Sequence, residues 1–447
     1  MESTAKNRGE LLRVLGLAFG LAAVVGSVIG QGILRSPGVV AEATGSATVI
    51  IALWVAGALV AMLSALPYAE LGAAIPRAGG HFAFIHRAFG DRVALAAGYA
   101  VMFLSTTVIA MLSFVTGEFL VRLGVGGGAL GPVELGIGVT VLFTLVNAAG
   151  TRISGGSQIA LSTLKGLVLI ALVVALFGGE PAAPVEQPVL LRNGWLALGT
   201  AMLMIMNTYS GWWDVAFYGE EFRDPGRQVP RALFGGILSI AALYILVNLA
   251  MLHVLTPDQM AGSNLVAADA AGMVFGDRGD TFLTLFGVLS VGAITNIQIM
   301  TGSRALYALA RARVLPGWLE KVDRRGTPIR AMLLGSSIGA ALILTGTYQA
   351  LASMSVSIGQ GLIVMAMASV IVLRRREPDL PRPFRMPLYP WSIIAALAVA
   401  LVLLVVFIAQ DPFYSLSGFV VVLVLWTLVD VVLKRRANLA ALDEREQ

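Results

Sequence analysis

Apolar runs long enough to cross a lipid bilayer recur from one end of this chain to the other, and no other property restricts its fold so severely. At about 20 apolar residues per crossing, the 447 residues read as twelve spans, at 12–41, 47–74, 92–121, 131–149, 155–178, 195–221, 231–255, 279–310, 329–347, 350–373, 389–409 and 413–433. With 57% hydrophobic and 13% charged residues, there is too little polar surface to clothe a soluble globule of this size. An all-α polytopic membrane protein is expected. The run from Leu11 follows Lys6 and Arg8 and has no convincing cleavage site, so it reads as a retained first span. There is no cysteine, which excludes thiolate metal sites, cysteine nucleophiles and a disulfide-linked subunit.

A pI near 9.6 raises nucleic acid or anionic lipid as a partner, and the distribution of charge decides between them. Sorting Lys and Arg between the two sets of loops and span ends puts 26 on the side shared by the termini and 3 opposite. By the positive-inside rule both termini are cytoplasmic, in the cell (inner) membrane. The basic balance is then a topological signal, with membrane lipid as the partner and no nucleic acid. Two segments on that side are expected to lie at the lipid surface: the amphipathic stretch 81–90 and the proline- and arginine-rich connector 374–390.

Inside the first span, residues 26–33 read GSVIGQGI. Gly26, Gly30 and Gly32 each weaken a helix by roughly 0.8–1 kcal/mol relative to Ala. A helix broken at membrane depth leaves free peptide groups, which persist only when buried in protein or lining a wet cavity. The N-terminus of the resumed half-helix then aims N–H donors at an anion. On this stretch alone, a carboxylate site and a small-residue packing seam (Gly16, Gly20, Gly26 and Gly30) explain the pattern equally well. Span six tips the balance: a helix from Trp195 is interrupted at Tyr209, Ser210, Gly211 and Trp212 and is expected to resume to Glu221. Two interrupted spans five apart, in opposite orientation, point to a transporter of inverted repeats with a midplane site.

Two intramembrane charges stand out. Lys165 lies about ten residues into its span, where a charge costs roughly 2.5–3.5 kcal/mol, so it needs a task or a partner. Asp214 follows the second break and is read as a coupling residue, a proton carrier or an ion-pair partner; structural pairing is an equal reading. Arg35 reads as a solvated helix face and Glu70 as structural. The histidines His81, His86 and His253 are scattered, and no phosphate-binding GxxxxGK[ST] loop is present, so neither a metal site, an enzyme nor direct ATP coupling is suggested.

Six segments carry a resemblance: GSVIGQGI, PRAGGHF, NAAGTRISGGSQIALSTLKG, YSGWWDVAFYGEEFRDPGRQVPRA, TGSRALYALARARVLPGWL and RRREPDLPRPFRMPLYP. In this order and spacing the chain resembles the amino acid-polyamine-organocation (APC) superfamily, and within it the LAT-like amino acid transporters. The resemblance implies a LeuT-type fold of five plus five inverted helices and two extra ones. A transport core would span 1–373, with repeats at about 12–178 and 195–373, followed by a connector, two helices and a tail at 374–447. It implies substrate carboxylate binding by the amides of Gly30, Gln31 and Gly32 with the Ser27 hydroxyl nearby. The substrate amine would meet the carbonyls of Val28, Asn207, Thr208 or Ser210, with Gly211 in the break and Trp212 as a wall. It further implies that Lys165 stands where sodium-coupled relatives hold sodium, and that Glu220 and Glu221 form an inner gate with loop arginines. Gln31 and Asn207 depart from the family pattern, which leaves the substrate's identity open. The expected function is a sodium-independent secondary transporter of amino acids, proton-coupled or facilitative, with no cofactor, as a monomer or weak homo-oligomer. The alternatives are an obligatory exchanger and a non-transporting sensor.

Overall fold

The computed structural model describes residues 11–427 except Gln31, residues 184–193, Gly262, Asn264 and residues 346–347. Its helices, in order, are α1 (Leu17–Val28), α2 (Gly32–Ala43), α3 (Ala47–Ala74), α4 (His81–Phe89), α5 (Asp91–Arg122), α6 (Pro132–Ala148), α7 (Thr151–Phe177) and α8 (Gly194–Thr208). After a 3₁₀ turn (Trp212–Phe217) come α9 (Pro225–Val254), α10 (Pro257–Ala261), α11 (Val266–Phe275), α12 (Gly279–Arg311), α13 (Ile329–Ile343), α14 (Tyr348–Arg376), α15 (Trp391–Gln410) and α16 (Pro412–Thr427). Among the described residues, seven helices are long and apolar enough to cross a membrane, or eight if the bent pair α1 and α2 is one span. The protein is therefore a multi-pass membrane protein. Each of the other expected spans coincides with a shorter helix.

Local sequence sets several boundaries. Ser46 caps α3 by accepting from Val49 N, and Asp224 caps α9 by accepting from Arg227 N, with Pro225 following at N1. At α6, Pro132 occupies the first turn and the Glu134 carboxylate accepts the Gly131 N–H at 2.9 Å.

The faces of α7 show which solvent the bundle is built for. Leu164, Leu167, Ile170 and Val174 are about half or more exposed, whereas Ser154, Gln158, Ser162 and Lys165 are buried. An apolar stripe outside and polar groups inside is the arrangement for lipid, not water. The most extensive helix pairs are α5 with α12 and α3 with α9. The short helices α10 and α11 pack on α2 as a cover.

Three expectations are corrected. Span six does not resume as an α-helix to Glu221. The 3₁₀ turn ends at Phe217, and the chain beyond it makes a turn over 219–221 between two isolated bridges, Tyr218 to Ala78 and Phe222 to Leu15. Its peptide groups are satisfied sideways there: Leu15 N donates to Glu221 O at 2.9 Å, and Arg223 N to Leu15 O at 3.1 Å. Second, α4 is not a surface segment: His81, Phe82, Phe84 and Ile85 are buried, and the helix packs on α14 and α5. Third, the connector is not simply an extended strip: it turns at 378–379 and 387–390 and is clamped to protein at a few side chains, while much of it stays exposed. Arg374 and Arg382 both pair with Glu70, Arg374 lies 4.0 Å above the Tyr389 ring, and Arg87 pairs with Glu377 at 2.7 Å. Glu70, read as structural, is the buried centre of that clamp, and Arg35 is exposed as expected.

Candidate functional site between two broken helices

The first break lies between α1 and α2, whose axes bend by 51°. Val28 ends α1, and Ile29 is extended, with ψ of 100°. Three side chains from distant helices take up the freed carbonyls. The Lys165 ammonium donates to Gly26 O at 2.5 Å and Ile29 O at 2.6 Å, and the Ser290 hydroxyl donates to Ile29 O at 2.9 Å. The Tyr244 hydroxyl lies 3.0 Å from Val28 O and 3.4 Å from Thr208 O, and its single proton serves one of them at a time. Gly26 is needed because a Cβ there would land on Gln158 Nε2 and Ser162 Oγ. This links the glycine pattern to close helix contact as well as to the break. Gln31, at the centre of the expected carboxylate site, lies outside the described residues. Gly30 and Gly32 flank it, Gly32 facing the Thr208 side chain.

The second break follows α8. Ser210 N donates to Asn207 O at 3.1 Å, and Asp214 N to Gly211 O at 3.3 Å, so this segment closes much of its own hydrogen bonding. Gly211 has φ of +112°, a backbone state costly to residues with a Cβ. A Cβ there would also stand 2.9 Å from Ser27 O. The two breaks thus touch, backbone to backbone. They are tied by side chains as well: Ser27 Oγ donates to Asp214 Oδ2 at 2.7 Å, and Gln298 Nε2 donates to the same oxygen at 2.6 Å. The Thr208 hydroxyl donates to Met204 O, so the Ser36 hydroxyl, 2.7 Å away, donates to Thr208 and joins α2 to α8.

A cavity of about 200 Å³ opens beside the second break, walled by α5, α8, the 3₁₀ turn, α12, α14, Phe407 of α15 and His81 of α4. Of the expected residues, Asn207, Ser210, Gly211 and Asp214 line it. Trp212 does not. It is buried edge-on against Tyr68 and Trp213, and Trp213 forms the wall instead. Of the carbonyls expected for a substrate amine, Asn207 O accepts from Ser210 N, and Val28 O and Thr208 O share the single Tyr244 proton.

Glu220 and Glu221 find arginines, but on α12 rather than in a loop. Arg304 grips Glu221 with two bonds of 2.8 Å, both side chains being fully buried, and also donates to Thr151 Oγ1 at 3.1 Å. Arg311 pairs with the more exposed Glu220. Arg311 also walls two open spaces of about 510 and 420 Å³ at the same end of the bundle, together with Arg77. Sequence reading missed Tyr244, Gln298 and Ser290. Each is one polar group in an apolar helix, a pattern shared with many packing residues. Arg304 carried a stronger signal, a charge inside an apolar span.

Residues 14–429 match the family described as amino acid permease. The serine/threonine exchanger SteT of Bacillus subtilis is 28% identical over 399 residues, covering 87% of this chain and 89% of that protein. The Asc-type amino acid transporter 1 of Mus musculus is 30% identical over 407 residues, covering 86% of this chain and 74% of its own length. The cystine/glutamate transporter of Homo sapiens is 25% identical over 445 residues, covering 94% and 85%. These relatives are transporters, not enzymes.

Proposed function

Because the chain belongs to the amino acid permease family and is an amino acid transporter, we propose that it works by alternating access, without sodium, on a twelve-span core of five plus five inverted helices and two extra ones. The packing of α3 on α9 and α5 on α12 supports the repeat, since each joins a span to its counterpart five spans later. The core would be 1–373, with 374–447 as connector, two helices and tail, and the basic side of the bundle would face the cytoplasm with both termini.

One observation carries the coupling proposal. The Lys165 ammonium sits on Gly26 O and Ile29 O, at the cut end of α1, where carbonyl oxygens would otherwise invite a small cation. A tethered ammonium occupies the position permanently, so transport needs no sodium. Opposite it, the N-terminus of α2 presents the amides around Gly30 and Gly32 to a substrate carboxylate, while Ser210 and Asn207 face the cavity. Of the two expected coupling residues, Lys165 takes this role. Asp214 ties the breaks together through Ser27. Glu220 with Arg311 and Glu221 with Arg304 are proposed as the inner gate.

Uptake into proteoliposomes tests this reading. Wild-type flux should be equal in sodium and choline, and Lys165→Ala should abolish it or make it sodium-dependent. Unchanged flux and ion dependence in Lys165→Ala would sink the proposal. Exchange is the second reading, favoured by the relative that is named an exchanger. Liposomes loaded with amino acid on the inside separate the two, because an obligatory exchanger does not fill empty vesicles and ignores an imposed pH gradient.

A further inference from the structure

The cavity beside the second break holds an imbalance of charge. Asp214 is the one carboxylate among the described residues lining it, and no Lys or Arg lines it. Its side chain is 3% exposed. Oδ2 accepts from two neutral donors, Ser27 and Gln298, and Oδ1 has no hydrogen bond among the described residues. A buried carboxylate kept ionised without a cation is strongly disfavoured, so it takes up a proton or gains a cation from elsewhere. The cations on α7 and α12 are committed elsewhere: Lys165 to the carbonyls of Gly26 and Ile29, Arg304 to Glu221, Arg311 to Glu220. The remaining titratable wall residue, His81, bonds to Tyr68.

The other walls state what kind of cation would fit. Leu104, Val108, Met111, Val356, Ile363 and Phe407 give a mostly apolar lining leading to the carboxylate. At roughly 30 Å³ per water, about 200 Å³ has room for a side chain of several heavy atoms. Apolar walls suit methylenes and a carboxylate suits the group at their end, the division of labour of a long amine side chain. We propose that this cavity receives the side chain of an amino acid ending in an ammonium group, with Asp214 as its counter-ion and Gln298 and Ser27 as the residues that position Asp214. The inference rests on the amino acid transport reading and names the substrate class of that same site.

Binding of lysine, of norleucine (the same carbon chain without the ammonium) and of cadaverine (the diamine without the carboxylate) to purified wild-type protein tests it by calorimetry. Lysine should bind at least tenfold tighter than norleucine, and cadaverine more weakly than lysine. Asp214→Asn should lower lysine affinity at least tenfold more than norleucine affinity, and Asp214→Glu should restore the preference. A wild-type ratio near one, or a ratio unmoved by Asp214→Asn, overturns the inference; if uptake still falls in that variant, the carboxylate carries a proton instead. Should neither variant fold, the wild-type ratio alone decides. Failure of every amino acid to bind, neutral ones included, would instead count against the transport reading.

Discussion

The two breaks look alike in sequence and are closed in different ways. At the first, the chain bends and leaves its carbonyls to partners far away: Lys165 on α7, Tyr244 on α9 and Ser290 on α12. At the second, the chain tightens into a 3₁₀ turn and bonds largely to itself, around a glycine of positive φ. A break closed by other helices reports their positions, whereas a break closed locally keeps its shape when they move. The first is therefore the better hinge, and the second the better fixed wall. Conformational change would then be read out at α1 and α2 while the cavity's side-chain wall stays intact.

The most severe way to break the comparison is Lys165→Met, which leaves Gly26 O without its side-chain donor and Ile29 O with Ser290 alone, at about 1–3 kcal/mol for the unpaired carbonyl. The thermal midpoint of the detergent-solubilised protein should fall sharply, with protease cleavage appearing near residues 28–32. Next, Gly211→Ala forces a side chain into the left-handed region, at about 1–3 kcal/mol, with the added Cβ against the Ser27 carbonyl. Substrate affinity should fall together with stability, because the wall itself is distorted. Gly26→Ala overpacks the α1–α7 contact, at about 1–3 kcal/mol, but Gln158 and Ser162 are side chains that can yield. Its midpoint should drop less than that of Gly211→Ala, and equality of the two would erase the distinction between local and long-range closure. Tyr244→Phe removes a hydroxyl that reaches carbonyls of both breaks and should cost about 1 kcal/mol, seen as faster hydrogen exchange at residues 28–30 and not at 212–217.

The smallest effect is a control outside both breaks. The Arg87 guanidinium bonded to Glu377 holds that carboxyl below its usual range. The pair therefore contributes stability at pH above the free carboxyl value, and loses it as pH falls through the lower folded value. Both side chains are about a third exposed, so the contribution is at most about 1 kcal/mol. Glu377→Gln should flatten that part of the midpoint-versus-pH curve and leave uptake unchanged.

Much of this arrangement was legible in the chain. Each long apolar run became a helix, the glycines at 26, 30 and 32 marked a real bend, and a lysine in an apolar span proved to have buried partners. What was not legible depended on pairing. Glu221 reads as one of two adjacent acids, and nothing local says that it is fully buried on Arg304 while Glu220 stays near the surface. The connector's prolines and arginines read as a lipid-facing strip because Glu70, some 300 residues earlier in the chain (304 separate it from Arg374), is invisible to any local window. The second half of span six read as helix because its composition is helical enough. Bridges to Leu15 and Ala78 offered its backbone a better set of partners.

By itself, then, the sequence determined the solvent this protein folds in, the order of its helices and the places where two of them cannot continue. Those properties follow from apolar periodicity and from backbone preferences that act within a few residues. Only the tertiary structure decided what fills the breaks. Lys165 meets Gly26 across 139 residues of chain, Ser27 meets Asp214 across 187, and Gln298 meets Asp214 across 84. A buried polar group must be paired, and that rule demands a partner without naming one. The packing of α7, α9 and α12 around α1 selected the partners, and left Asp214 facing the cavity without a cation among the described residues.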